Sequence, residues 1–254
     1  MIVAERLHRS FGQLVAVEEV SFEAHDGQIT GLLGPNGAGK TTTLRMLYGL
    51  LRADRGRVTI DGVELGADLR AAQAKLGVLP DARGLYPRLT AREHVRYFGQ
   101  LHGLQGDELE LRIAALIERL DMQGIADRRT EGFSQGERMK VALARALVHG
   151  PNNVLLDEPT NGLDVMSTRA MRKLIRELRD EGRCVLFSSH IMQEVSALCD
   201  TIVIVARGRV VARGSSDALL EQAGCSDLED AFVTLSGVAS REELGGMPEP
   251  EVRP

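Results

Sequence analysis

The sequence predicts an α/β fold: a β-rich N-terminal stretch, a core of alternating strands and helices built on a phosphate-binding loop, and a helical segment inserted in that core. Three observations carry this expectation. Residues 2–33 are short apolar runs separated by turn signals. Residues 34–42 form a glycine-rich loop between an apolar strand, Ile29 to Leu33, and a helix-prone run, Thr43 to Leu51. From residue 84 to about 132 the apolar spacing changes from that of strands to that of helices.

Taken in order, Ile2 to Leu7, Leu14 to Phe22 and Gln28 to Leu33 read as strands, with turns at Gly12 and Asp26-Gly27. Phe11 precedes the first turn, and a single aromatic there is ordinarily core or strand edge. The loop reads Gly34-Pro35-Asn36-Gly37-Ala38-Gly39-Lys40-Thr41-Thr42 and satisfies Gly-x-x-x-x-Gly-Lys-[Ser/Thr]. Its glycines let successive backbone N–H groups turn inward onto phosphate oxygens, and the following helix adds the positive end of its dipole. Lys40 is then placed to reach β- and γ-phosphates, and the Thr41 hydroxyl to ligate Mg²⁺. A glycine turn with an incidental lysine is the bland alternative, and the flanking strand and helix speak against it.

Arg57 to Ile60 is a strand that closes at Asp61-Gly62, a hairpin signal. Leu76 to Leu79 is a brief buried-type strand ending at Pro80-Asp81. Thr90 and Glu93 have capping-box spacing, and Leu109, Ile113, Leu116, Ile117 and Leu120 share one helical face. Ser134 and Glu137 are spaced as a second capping box, opening a helix with Met139, Ala142, Leu143, Ala146 and Leu147 on its apolar side. Such a helix is complete as structure alone, and its N-terminus, if exposed, is also an anion site.

Asn153 to Leu156 is an apolar strand running into Asp157-Glu158-Pro159. Adjacent acids at the end of a buried strand are costly unless they hold a metal or a proton. Asp157 suits a Mg²⁺ contact, and Glu158 suits polarising an attacking water. A helix with Met171, Leu174, Ile175 and Leu178 on one side leads through Gly182 to the strand Cys184 to Phe187, which ends in Ser188-Ser189-His190. A lone histidine is commonly structural, but His190 stands at a strand's carboxyl end, where open α/β sheets collect ligands. Strands at Thr201 to Val205 and Arg209 to Ala212, a short helix beyond residue 215, and Leu228 to Leu235 complete the core. The sequence predicts one domain over 1–236, with 84–132 as its helical insertion, and a Pro/Glu-rich disordered tail over 237–254.

With 254 residues, the chain can bury a sizeable interior. The net charge of −5 argues against nucleic acid as a general partner, which would call for a basic surface. Cys184, Cys199 and Cys225 form no ligand pattern and read as thiols in a reducing compartment. The sequence carries no secretory signal pattern and no apolar run long enough to span a bilayer, so any membrane process needs a partner chain. It has no internal repeat.

Four segments together resemble the ATP-binding subunit of an ABC transporter. They are Gly34 to Thr42, Phe133-Ser134-Gln135-Gly136-Glu137, Leu155 to Thr160 with Asn161-Gly162-Leu163-Asp164, and Ser188-Ser189-His190. The likeness covers about residues 2–236. It implies a P-loop NTPase core with an N-terminal antiparallel β subdomain and an inserted α-helical subdomain, binding ATP and Mg²⁺. It further implies that Phe11 stacks on adenine, Asp157 serves Mg²⁺, Glu158 is the general base and His190 contacts the γ-phosphate. Ser134 and Gly136, with Glu137 beside them, are expected to meet a nucleotide held by a second copy.

The family's usual Leu-Ser-Gly-Gly-Gln is here Phe-Ser-Gln-Gly-Glu, and Asp81 stands near the place of a glutamine that touches Mg²⁺ and water. As partners, the resemblance implies a homodimer around two ATP and an integral membrane permease, with the chain peripheral on the cytoplasmic face of the inner membrane. Arg83 to Thr90, Phe133 to Ala146, Ser189 to Val195 and Leu228 to Phe232 are most similar to bacterial exporters of the sodium-extruding type. A drug, lipid or other cargo is the alternative. A soluble relative acting on ribosomes or DNA would carry two nucleotide domains or a long coiled-coil insertion, and a phosphate-loop kinase or GTPase would leave Ser134 idle.

Overall fold

The computed structural model describes residues 1–81 and 84–237. Arg83 and residues 238–254, hence nearly all of the expected tail, lie outside the described residues. The chain begins with β1 (Ile2–Phe11) and β2 (Leu14–Ala24), then β3 (Ile29–Leu33), α1 (Lys40–Leu47), β4 (Arg55–Ile60), β5 (Val63–Glu64) and α2 (Leu69–Gln73). It continues through β6 (Leu76–Leu79), α3 (Ala91–Leu101), α4 (Gly106–Arg119), α5 (Gln135–Leu147) and β7 (Asn153–Leu156). After α6 (Val165–Asp180) come β8 (Cys184–Ser189), α7 (Met192–Leu198), β9 (Thr201–Ala206), β10 (Arg209–Gly214), α8 (Ser216–Ala223) and α9 (Leu228–Ser236).

Two sheets organise these elements. One is antiparallel, in the order β2-β1-β4-β5. The other runs β10-β9-β3-β8-β7-β6 and is parallel except for β10. β3, β7 and β8 are buried along their whole lengths, as expected of parallel strands covered on both faces. One apolar cluster joins this sheet to α3, α4, α5, α6 and α9 through residues such as Ile113, Leu143, Ile175, Phe187 and Phe232. A second cluster, with Leu7, Phe22, Leu44, Leu47 and Leu186, packs the antiparallel sheet and α1 against the opposite face. Gly34 and its loop therefore emerge between two packed layers.

Local chemistry explains the boundaries. Asp61 and Gly62 both have positive φ, 45° and 78°, the geometry of the two-residue turn that joins β4 to β5. Both expected capping boxes form: Thr90 with Glu93 on α3, and Ser134 with Glu137 on α5. Each N-cap contributes about 1 kcal/mol. The helix after the loop begins at Lys40 rather than Thr43 and stops at Leu47 rather than Leu51. Gly39 opens it in a left-handed conformation, and Gly49, with φ of 74°, ends it. Periodicity alone missed α2 and α7, which are only 5 and 7 residues long.

Between β6 and α5, α3 presents the buried His94, whose Nε2 accepts the N–H of Tyr86 at 2.7 Å. Burial, with Arg145 nearby, lowers the His94 pKa to about 4. A folded pKa below the unfolded value favours folding above about pH 6.5 and withdraws that stability as pH falls toward 4. His94→Gln keeps an acceptor but does not titrate. Its thermal midpoint is expected to fall less between pH 6.5 and 4 than that of the parent, as read by circular dichroism.

Candidate functional site

The carboxyl ends of four neighbouring parallel strands form one ridge. β3 leads into Gly34, β8 into His190, β7 into Asp157 and Glu158, and β6 through Pro80 into Asp81. This is the edge of an open parallel sheet where ligands bind.

The loop is built for an anion. A Cβ at Gly34 would lie 2.3 Å from the Val205 carbonyl oxygen, and one at Gly39 2.5 Å from that of Ala16, so backbone packs where side chains would stand. Gly39 caps α1 without a side-chain acceptor, which leaves the first-turn N–H groups to an outside partner. Lys40, only 5% exposed, donates to the carbonyl oxygens of Gly34 at 2.8 Å and Pro35 at 3.1 Å. Its Nζ is also 3.3 Å from Glu158 Oε1. The shape, the free amides and the buried ammonium fit a polyphosphate.

Asp157 lies beside Thr41, whose Oγ1 donates to its Oδ1 at 3.3 Å. Ser188, buried on β8, donates to the same oxygen at 2.6 Å and accepts the Glu158 N–H at 2.9 Å. Oδ2 of Asp157 is buried with no partner among the described residues. Burial raises the Asp157 pKa against the lowering by the Ser188 and Thr41 hydrogen bonds, and the charges of Asp81 and Glu158 add to the rise. A divalent cation would relieve both the orphaned oxygen and the crowding of acids. An all-oxygen set with one or two carboxylates is the set that Mg²⁺ takes beside phosphates. Thr41 and Asp157 are the residues that fit it.

Glu158 adopts φ of 47°, in the left-handed region uncommon for a residue with a side chain. Its Oε2 meets His190 Nδ1 at 2.8 Å while its Oε1 faces Lys40, so the three groups converge on one point. A carboxylate held between an imidazole and an ammonium can accept a proton from water while the cation faces phosphate. Such strain is expected where a side chain must be aimed.

The structure brings Lys40, Thr41, Asp157, Glu158 and His190 together. Asp81 is exposed, near enough for its charge to act on Asp157. Phe11 is 42% exposed at the end of β1, with the Arg9 guanidinium 5.0 Å from its ring centre. The adjoining β2 passes its Ala16 carbonyl against Gly39, which sets the Phe11 turn on the loop's flank. Ser134 and Gly136 stand elsewhere: α5 packs on α3, α4 and β6, whereas α1 packs on β1 and β2. No hydrogen bond or ion pair among the described residues joins 134–137 to 34–42. The Glu137 carboxylate accepts the Ser134 N–H at 2.8 Å and pairs with Arg128 at 3.0 Å, so it holds the cap. Ser188 stood in the Ser188-Ser189-His190 segment but was given no role by the sequence; the structure places it against Asp157 and the Glu158 N–H.

The family model described as ABC transporter matches residues 17–161. The chain is 44% identical to the ABC transporter ATP-binding protein NatA of Bacillus subtilis (strain 168), covering 86% of this chain and 89% of that one. It is 35% identical to the Nod factor export ATP-binding protein I of Paraburkholderia xenovorans (strain LB400), covering 96% and 80%. Among solved structures, an ATP-binding subunit of an ABC transporter superposes with a TM-score of 0.86 at 30% identity, over 92% of this chain and 99% of that one. A dimeric bacterial ABC transporter cassette superposes at 0.78 with 25% identity, over 85% and 98%. A loop shaped for polyphosphate, a carboxylate aimed by a histidine and an ammonium, and likeness over nearly the whole chain agree: this protein belongs to the ABC transporter family, as an ATP-binding and ATP-hydrolysing subunit.

Proposed function

We propose that two copies of the chain close around two ATP molecules and drive export through a separate integral membrane permease. The observation that carries this reading is the separation of Ser134 and Gly136 from Gly34 to Thr42 within one copy. The α5 N-terminus is exposed at Ser134 and Gln135 and has nothing of its own chain's loop to face. The dimeric relative among solved structures supports the two-copy arrangement.

In this reading the loop amides from Gly34 to Thr42 and the Lys40 ammonium hold the phosphates, and Phe11 stacks on adenine. Thr41 and Asp157 would hold Mg²⁺, with Asp81 beside them, and the ion would supply positive charge against the phosphate oxygens. Glu158 takes the proton of the attacking water, and His190 contacts the γ-phosphate. Ser134 and Gly136 of the second copy complete the site, with Glu137 fixing their cap.

Residues 1–236 act as one ATPase domain, and its segment 84–132, beside Asp81, receives the permease. Tyr86, Tyr97 and Leu101 are exposed apolar side chains there, the kind of surface a protein partner covers. Among the described residues no helix is long and apolar enough to cross a membrane, which fits a peripheral subunit on the cytoplasmic face. The finer reading is sodium as cargo, resting on the resemblance of 83–90, 133–146, 189–195 and 228–232 to sodium-extruding exporters. The Nod factor export relative favours the second reading, export of a drug, lipid or other cargo.

Reconstituting the chain with its membrane partner in vesicles separates these readings. ATP-dependent Na⁺ flux is the expected result. Flux of a drug or lipid without Na⁺ movement would remove sodium and keep export. Association with ribosomes in place of membranes would overturn the exporter reading.

A further inference from the structure

The helix after His190 contains an acidic group that the foregoing chemistry does not use. Glu194 on α7 is 3% exposed. Its Oε2 accepts the Thr160 hydroxyl at 2.5 Å, and its Oε1 accepts from Nη2 of Arg172, on α6, at 3.0 Å. A carboxylate this deep is tolerated when its oxygens are paired, and here each has one partner.

Thr160 is itself buried, at 7% exposure, and stands two residues after Glu158. Between them is Pro159, whose ring fixes φ, so few free torsions separate the Thr160 hydroxyl from the Glu158 backbone. The loop is tied further by Asn161 N–H to Glu158 O and Leu163 N–H to Thr160 O, both at 3.1 Å. α7 starts two residues after His190. The bridge Thr160–Glu194–Arg172 therefore joins the segment bearing Glu158 to the segment bearing His190. Two side chains that must aim at one point are held by a buried tie outside the site.

We infer that Glu194 is a positioning residue for ATP hydrolysis: through Thr160 it fixes the strained backbone at Glu158, and through α7 it fixes where His190 stands. Arg172 holds the other carboxylate oxygen from α6. The inference rests on the assignment of Glu158 and His190 to the reaction. Small misplacement of reacting groups lowers turnover much more than it lowers binding of the whole nucleotide.

The test uses the full chain and compares Thr160→Val, Thr160→Ser, Glu194→Gln, the double variant Thr160→Val/Glu194→Gln, and Glu158→Gln as reference. Steady-state ATPase, the ATP dissociation constant and the thermal midpoint are measured for each. Thr160→Val is expected to lose about tenfold in kcat, with ATP affinity within about twofold of the parent. Thr160→Ser, which keeps the hydroxyl, is expected to recover most of that loss. The loss in the double variant is expected to be smaller than the product of the two single losses, because Thr160 and Glu194 act through one hydrogen bond, which the glutamine weakens and the valine removes. Parental kcat in Thr160→Val, equal loss in the Val and Ser variants, or fully multiplicative losses would each overturn the inference. If Glu158→Gln is inactive while Thr160→Val keeps the parental kcat, the positioning role fails alone. If Glu158→Gln turns over normally, the assignment beneath it fails too.

Discussion

Glu158→Gln is expected to lower ATP turnover by about 100- to 10,000-fold, the range of a lost general base, while ATP binding persists. The side chain is 12% exposed and lies 2.8 Å from His190 Nδ1 and 3.3 Å from Lys40 Nζ. An amide fills the same volume and can still hydrogen-bond to the histidine, so the architecture of the site survives. What it cannot do is take a proton from water. It also removes one negative charge from beside Asp157, where acids already crowd. ATP should therefore be held unhydrolysed, and the two-copy form should accumulate during size-exclusion chromatography with ATP and Mg²⁺. Robust turnover by this variant would show that another group is the base.

Lys40→Ala is expected to weaken ATP binding by at least about tenfold and turnover by more than about 100-fold, since a charge-assisted contact to phosphate is lost in a site where charge develops. The ammonium is almost wholly buried and is held by Gly34 O and Pro35 O as well as by Glu158. Its position is thus set without a nucleotide, and in the proposed role phosphate oxygens would replace the two carbonyl partners. Nucleotide-induced stabilisation gives a direct readout. ATP at 100 times its Kd stabilises a folded protein by about 2.7 kcal/mol, and Lys40→Ala, at least about tenfold weaker, should show at most about half of that stabilisation at the same ATP concentration, with a correspondingly smaller rise in melting temperature. Lys40→Arg is expected to restore little, because a planar guanidinium does not fit where a compact ammonium sits between two carbonyls. A parental melting shift in the alanine variant would rule out Lys40 as a phosphate contact. Melting without nucleotide separates this from misfolding, since removal of Lys40 leaves Glu158 with His190 as its remaining partner.

The sequence by itself determined what a few neighbouring residues decide. The glycines of 34–42 dictate a loop open to phosphate, the Thr90/Glu93 and Ser134/Glu137 spacings dictate helix starts, and the apolar run Asn153 to Leu156 dictates a core strand that delivers Asp157 to its end. These are short-range effects of backbone freedom, capping and periodicity, and they survive in the structure with shifts of a few residues. Helices of one or two turns, such as α7, carry too little periodicity to be read.

Tertiary structure alone decided which distant residues meet. Thr41 reaches Asp157 across 116 positions, Asp157 reaches Ser188 across 31, and Thr160 reaches Glu194 across 34. Those meetings follow from the parallel pairing of β3 with β8 and of β8 with β7, which aligns strand ends from separate parts of the chain on one edge. Which strand lies beside which is settled by covering both faces of the sheet at once, a property of the whole core. Pairing also explains why Ser134, so plain in sequence, is absent from its own chain's loop. Its helix packs on α3, α4 and β6, on the side of the sheet away from α1.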